Sequence, residues 1–354
     1  MVCSKQMKVP SLVKLNLSVT ERCNFSCSYC YQKNLKKKDR LNPETVERVI
    51  QFFFPWLSEG GYIGFYGGEP LLEFSLIEQA VQFSQRLSKT QQKKILYTIT
   101  TNGSLLTESL LEFFNRHRFH LTLSFDGSAQ DQNRKEGSRD QLLTLIPIIL
   151  KNFSGIDLTV NSVFSPETVH SFVDSLQMIR QLGVKNSIHA FSTAEPWSER
   201  DFRRLIRERR RMATLFTAPE ENNPGEKKKR QLFICAAGLD RISLSAEGKL
   251  WGCYLFGDYF KERLDDEDYS RYCFGSLDEF ISEWESIYPG IAKNYGLLRQ
   301  DYYYTEKGFC MDCPNLYHCH VCPITSILAG SVLLKKVPLH ICRLQKINNR
   351  PWRK

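Results

Sequence analysis

Between residues 13 and 192 the chain repeats one pattern six times: a short run rich in β-branched and aromatic residues, then turn residues, then a longer stretch with helical periodicity. The runs are Val13–Val19, Tyr62–Tyr66, Ile95–Thr101, Phe119–Phe125, Ile156–Phe164 and Asn186–Ser192. Between them lie "NPETVERVIQFFF", "SLIEQAVQFSQRLS", "TESLLEFFNRH", "DQLLTLIPIILKN" and "SPETVHSFVDSLQMIRQLG". The first and last of these open on a capping Asn or Ser followed by Pro, and the last ends at Gly183. Strand alternating with helix predicts an α/β fold, a parallel sheet with helices outside it. Six units predict a curled partial barrel rather than the closed eight-fold one.

In that geometry the active site belongs at the carboxyl ends of the strands. The unusual residues fall there. "ERCNFSCSYCYQ" follows the first run, "GGEP" (Gly67–Pro70) the second and "NGS" (Asn102–Ser104) the third. "DG" (Asp126–Gly127) closes the fourth, and Asn161 stands near the end of the fifth. From about residue 195 the composition changes. "SERDFRRLIRERRRMATLF" reads as a basic helix and "TAPEENNPGEKKKR" as a polar loop. Beyond them the chain is rich in cysteine, tyrosine and turn residues. The expected organisation is a barrel over residues 1–195, a basic helical bridge over 196–230 and a small irregular cysteine-rich domain over 231–354, ordered by bound metal.

Hydrophobic residues at 42% and charged residues at 25% suit a soluble chain with a real core. There is no apolar run of about 18 residues to span a membrane and no signal-peptide run at the start, so a cytoplasmic location is expected. In that compartment disulfides are disfavoured, and twelve cysteines point to metal or cluster ligation. The formal charge of +9 suggests an acidic partner, peptide or nucleic acid. Thiolate clusters would reduce that excess, which disfavours nucleic acid.

Cys23, Cys27 and Cys30 are spaced Cys-x3-Cys-x2-Cys, with no fourth ligand nearby. Three thiolates can hold three corners of a [4Fe–4S] cube and leave one iron open. Zinc would need a distant residue or water to close its tetrahedron, and paired x2–x4 knuckles are its usual pattern.

This loop, with Tyr29 before its last cysteine and "GGEP" after the second run, resembles the radical S-adenosylmethionine superfamily. The resemblance implies that Cys23, Cys27 and Cys30 bind the cluster and that S-adenosylmethionine binds its open iron. One-electron reduction, from a donor such as flavodoxin or ferredoxin, would yield a 5′-deoxyadenosyl radical that takes a hydrogen atom from substrate. It further implies a backbone contact from Tyr29 to the adenine side and a methionine end lined by Gly67 and Gly68. Glu69 would be an amino-group contact or a structural brace. Ser124 would reach the ribose and Arg134 the cofactor carboxylate, with Asn161 in the same pocket. The plainer readings are a capped strand hydroxyl for Ser124 and a satisfied strand-end amide for Asn161. The interval from Ser124 to Arg134 is about two residues shorter than the family's.

The C-terminal part reads Cys235-x12-Gly248-x4-Cys253, then Cys310-x2-Cys313-x5-Cys319-x2-Cys322, then Cys342. It resembles the SPASM extension of radical enzymes that modify peptides and proteins, with two residues instead of the usual three before Cys322. The resemblance implies two auxiliary [4Fe–4S] clusters, making three in all. Cys310, Cys313, Cys319 and Cys342 would hold the distal one. Cys235, Cys253 and Cys322 would hold the proximal one, its fourth position taken by Cys273 or left open. Cys3 lies outside every pattern. "CPNLYHCHVC" could instead be a zinc knuckle, with His318 and His320 as ligands.

SPASM-bearing enzymes form thioether or carbon–carbon crosslinks in ribosomally made peptides, epimerise residues, or oxidise a Cys or Ser of a sulfatase to formylglycine. The sulfatase maturases carry an Asp directly after the cysteine corresponding to Cys253, whereas this chain has Tyr254, a candidate acid, base or radical relay. A peptide or protein substrate is therefore expected, with sulfatase maturation as the alternative. The alternative of another class is a non-catalytic iron–sulfur or zinc scaffold, which would have no need of "GGEP". Twenty-two residues precede Cys23, too few for a winged-helix leader grip. A leader would then be held by a separate leader-binding protein or by the basic helix.

Overall fold

The computed structural model describes residues 9–34, 38–193, 195–216, 236–257 and 266–304; beyond these it describes 310, 313, 314, 316–319, 322 and 339–348. Cys3, Cys235, His320 and the polar loop after residue 216 lie outside the described residues.

Six parallel strands carry the barrel: β1 (Leu12–Thr20), β2 (Leu57–Gly67), β3 (Ile95–Thr101), β4 (His120–Ser124), β5 (Asp157–Phe164) and β6 (Asn186–Phe191). The helices among them are α1 (Pro43–Phe53), α2 (Phe74–Gln91), α3 (Glu108–Arg116), the single turn α4 (Gln130–Asn133), α5 (Ser138–Asn152) and α6 (Phe172–Gln181). α7 (Glu199–Leu215) follows β6. Local chemistry starts the helices where the sequence indicates. Asn42 caps α1 by accepting from Thr45 N–H at 2.7 Å, Thr107 caps α3, and Ser198 with Asp201 forms a reciprocal capping box on α7.

One boundary differs. "SPET" was expected to open the helix at Ser165, but α6 begins at Phe172. Ser165 N–H donates to Thr168 Oγ1 at 3.1 Å, and the N–H groups of Thr168 and Val169 donate to Ser165 O. The segment satisfies itself as a turn, the usual competitor of a helix at Ser and Thr.

Alternation along the strands separates two faces. Leu15, Leu17, Val19, Ile63, Phe65, Tyr97, Ile99, Leu121, Leu123 and Val160 are buried in the core shared with the helices. The inner face is polar. A Cβ on Gly64 would meet Lys14 Cε, Thr98 Oγ1 and Asn16 Oδ1 within 3.0 Å, so β1, β2 and β3 crowd together there.

The sheet continues past β1 through three strands that are not among those read from the sequence. β7 (Arg241–Leu244) pairs parallel with β1, and β8 (Lys249–Trp251) and β9 (Cys273–Ser276) follow antiparallel. The order is β6-β5-β4-β3-β2-β1-β7-β8-β9, and the two ends do not pair. α8 (Asp266–Tyr272), the kinked α9 (Leu277–Tyr304) and α10 (Leu339–Asn348) complete the described elements. α7 packs on the barrel: Phe202 and Leu205 join Phe164, Phe172, Phe191 and Trp197 in a second core, with Leu344 and Ile347 of α10. Among the described residues, no helix is long and apolar enough to cross a membrane.

Candidate functional site

β1 delivers the cysteine loop to the barrel mouth. Cys23 is exposed, and Cys27 and Cys30 are partly buried. Phe25 N–H is directed at Cys23 Sγ at 3.4 Å, and Ser28 N–H donates to Asn133 O at 2.8 Å. Burial pushes the Cys27 thiol up to about 11, against the pull of Arg134, and it also raises Cys23. Thiols held this way ionise when a cation takes the proton's place. Among the described residues, no three or more His, Cys, Asp or Glu side chains close around a single metal ion. Three part-exposed sulfurs at a strand mouth, one with an N–H aimed at it, fit an iron–sulfur cluster in donor chemistry.

"GGEP" braces this loop. Gly68 N–H donates to Thr20 O at 2.8 Å and Glu69 N–H to Arg22 O at 2.9 Å. A Cβ on Gly67, whose φ is +134°, would lie 2.0 Å from Thr20 O; one on Gly68 would lie 2.2 Å from Arg22 O. The glycines are therefore required by the approach of two backbones, whatever else they face. Glu69 is fully buried in its own fold. Its carboxylate accepts from Thr101 Oγ1–H at 2.6 Å, Asn102 N–H at 2.8 Å and Leu71 N–H at 3.1 Å. Desolvation raises its pKa to about 7 despite these donors. Asn102 Nδ2 in turn donates to Asn24 Oδ1 at 2.9 Å, which latches "NGS" to the cysteine loop.

Asp126 was noted only as a strand end, yet it is the hub of the opposite wall. Its Oδ2 accepts from Tyr29 Oη–H (2.8 Å), Asn133 Nδ2 (3.1 Å) and Arg134 Nε (3.0 Å), and its Oδ1 from Arg134 Nη2 (2.9 Å) and Val163 N–H (2.8 Å). The Arg134 guanidinium also lies over the Tyr29 ring, 5.4 Å from its centroid. Arg134 thus reaches the site through a buried bidentate ion pair. Ser124 and Asn161 are register partners on β4 and β5, side by side at the mouth.

From the other side β8 brings Cys253 and Tyr254. The Tyr254 ring stacks on Tyr66 at 4.8 Å with 14° between planes, and Lys14 Nζ donates to Tyr66 Oη at 2.7 Å. Tyr66 immediately precedes Gly67, so Tyr254 sits beside "GGEP". Tyr31 was not singled out from the sequence. Its hydroxyl is 3.2 Å from Thr193 Oγ1; burial raises its pKa, and Cys322 and Cys30 add to the effect. Burial raises the Cys310 thiol, and Cys342 and Cys313 add to the effect. Cys319 follows in consecutive turns, with Leu316 N–H on Cys313 O and Cys319 N–H on Leu316 O. Cys273 is buried in β9, its sulfur engaged by Gly275 N–H at 3.4 Å and Leu250 O at 3.7 Å.

An open parallel β/α barrel with three cysteines at its mouth and a glycine cradle beside them defines a radical S-adenosylmethionine enzyme. The Radical SAM superfamily model matches residues 17–208, and the chain belongs to that superfamily. Uncharacterized protein MJ0907 of Methanocaldococcus jannaschii is 30% identical over 181 residues, 50% of this chain and 62% of that protein, so the chain spans less than two thirds of that relative. The radical SAM cyclopropyl synthase TigE of Paramaledivibacter caminithermalis is 27% identical, covering 84% of this chain and 71% of its own. In fold the chain is similar to anSMEcpe with bound AdoMet (TM-score 0.65, 15% identity, 88% of each chain). It is also similar to Streptococcus suis SuiB bound to precursor peptide SuiA (TM-score 0.60, 17% identity, 90% of this chain and 73% of that one).

Proposed function

We propose that this enzyme modifies a side chain or backbone position of a peptide or protein, as in ribosomal-peptide maturation by a thioether or carbon–carbon crosslink or by epimerisation. One observation carries the reading: the cysteine-rich continuation is built onto the barrel sheet through β7 and places Tyr254 against Tyr66 at the mouth. Relatives in fold bind peptides, SuiB its precursor SuiA and anSMEcpe a Cp18Cys peptide.

Cys23, Cys27 and Cys30 would hold the [4Fe–4S] cluster. Bound with S-adenosylmethionine, it supplies a 5′-deoxyadenosyl radical for hydrogen-atom abstraction. The protein's share is orientation and exclusion of water. The backbone of Gly67, Gly68 and Tyr29 would line the cofactor, and Ser124 and Asn161 would face its ribose. Asp126 holds the Arg134 guanidinium so that its remaining N–H groups can meet the carboxylate. Glu69, saturated by three donors of its own chain, positions the cradle. Tyr254 would give or take a proton beside the substrate or relay the radical, a role supported by its stack on Tyr66 next to Gly67. Cys310, Cys313, Cys319 and Cys342 would hold one auxiliary cluster, and Cys235, Cys253 and Cys322 the other.

The test is anaerobic reconstitution of the full chain, then dithionite, S-adenosylmethionine and a panel of synthetic peptides. Formation of 5′-deoxyadenosine together with a mass change in one peptide is the expected result. Turnover with a small metabolite and with no peptide would overturn the reading. In Tyr254→Phe, which keeps the ring stack, modified peptide should fall at least about a hundredfold, the scale of a lost acid–base group, while 5′-deoxyadenosine still forms.

A further inference from the structure

The arginines of α7 divide into two groups. Arg209 is buried, its guanidinium 5.1 Å from the Phe172 ring centroid and 5.3 Å from that of Phe191, and Nη2 donates to Asn348 Oδ1 at 2.6 Å. Arg211 pairs with Asp174 and Glu208. These two fasten the helix to α6 and α10. Arg200, Arg203, Arg204 and Arg207 instead line an open cleft of ≈ 360 Å³. Their spacing puts them on one face of the helix.

Little offsets their charge. Arg204 reaches Asp201 at 3.5 Å, while Arg200, Arg203 and Arg207 make no ion pair or hydrogen bond among the described residues. Glu199, the acid beside Arg203, is taken by Arg343 of α10, whose Nη2 donates to Glu199 Oε2 at 2.9 Å. The cleft also lies on the first turns of α7, where the helix dipole adds positive potential. Thr193, in the loop between β6 and α7, meets Tyr31 just after the cysteine loop, so α7 follows from the strand end that carries the cysteines.

We propose that this cleft docks an acidic segment of the peptide substrate, away from the residue that is modified. The proposal rests on the reading that the substrate is a peptide. Planar guanidinium groups are suited to paired carboxylates. Among the described residues that line the cleft none is aromatic, so they offer no stacking platform of the kind a single-stranded nucleic-acid site uses. None is apolar either, as a membrane-surface helix would require.

The probe is a fluorescein-labelled peptide of alternating Glu and Gly, with its Gln–Gly counterpart, titrated against the reconstituted full chain by anisotropy. The Glu peptide should bind, weaken as salt rises, and lose about tenfold or more in affinity with R200E/R203E/R207E, whereas the Gln peptide should not bind. R200Q/R203Q/R207Q should show a smaller loss. K89E/K151E/K185E, with the same change in net charge at exposed sites elsewhere, should bind like the parent. Iron content and thermal midpoint establish that each variant is folded. Equal binding by the R200E/R203E/R207E variant, or equal loss in the lysine variant, would overturn the proposal. So would binding of labelled oligothymidylate or phosphatidylglycerol vesicles with none of the Glu peptide. Binding needs no turnover, so a failure here is distinct from a failure to form 5′-deoxyadenosine.

Discussion

Five hydrogen bonds end on the carboxylate of Asp126, which is fully buried and paired with the largely buried Arg134 side chain. A buried pair broken on one side leaves a charge with no counter-ion. Asp126→Asn should therefore cost about 3–5 kcal/mol in urea unfolding, and adding Arg134→Met should recover much of the loss. A loss below about 1 kcal/mol would mean that water already screens the pair, as at a surface. Glu69 makes a pH-dependent contribution of opposite character. Its folded pKa, about 7, is above that of an unfolded glutamate, so its stabilising contribution is complete below about pH 4.5 and fades as pH rises through 7. Relative to Glu69→Gln, the parent should lose up to about 3 kcal/mol between pH 5 and 8, and a difference independent of pH would refute the assignment. The cysteines were legible because their spacing is local. Asp126 was not, because Tyr29 and Val163 meet it only once the loop after β1 reaches across the mouth to β4 and its neighbour β5.

At the scale of elements, the barrel strands and most helices could be read from periodicity and caps. α6 was read six residues early because Ser-Pro-Glu-Thr serves a turn as well as it serves a helix start. β7, β8 and β9, at four, three and four residues, are too short to show alternation. The join between the first two barrel turns makes its own prediction. Gly68→Ala would drive a methyl into Arg22 O, which is backbone and cannot rotate away. The cysteine loop should shift, and reconstituted protein should lose about four irons, one cluster's worth, together with 5′-deoxyadenosine formation. Full iron and full activity would show that the loop tolerates the displacement.

The described strands form one sheet of nine, which carries both cysteine-bearing regions. Three clusters would give about twelve irons per chain after anaerobic reconstitution, and stoichiometric zinc with little iron would instead support the scaffold reading. Cys319→Ala should remove about four of those irons and leave the cluster at Cys23, Cys27 and Cys30 in place. Cys273 is buried with its thiol directed at Leu250 O, so Cys273→Ala should leave the iron count unchanged. A drop of about four would make it the proximal cluster's fourth ligand.

The pairing of β1 with β7 also bears on synthesis. Of the nine described strands β1 leaves the ribosome first, and β2 covers one of its edges early. Its other edge waits for Arg241–Leu244, after all six barrel units have been made. Through most of translation the strand that carries the cysteine loop is therefore a border strand with open N–H and C=O groups, the position from which unwanted pairing with other chains starts. Lys14, on that strand and partly exposed, is the kind of residue that discourages such pairing until β7 arrives.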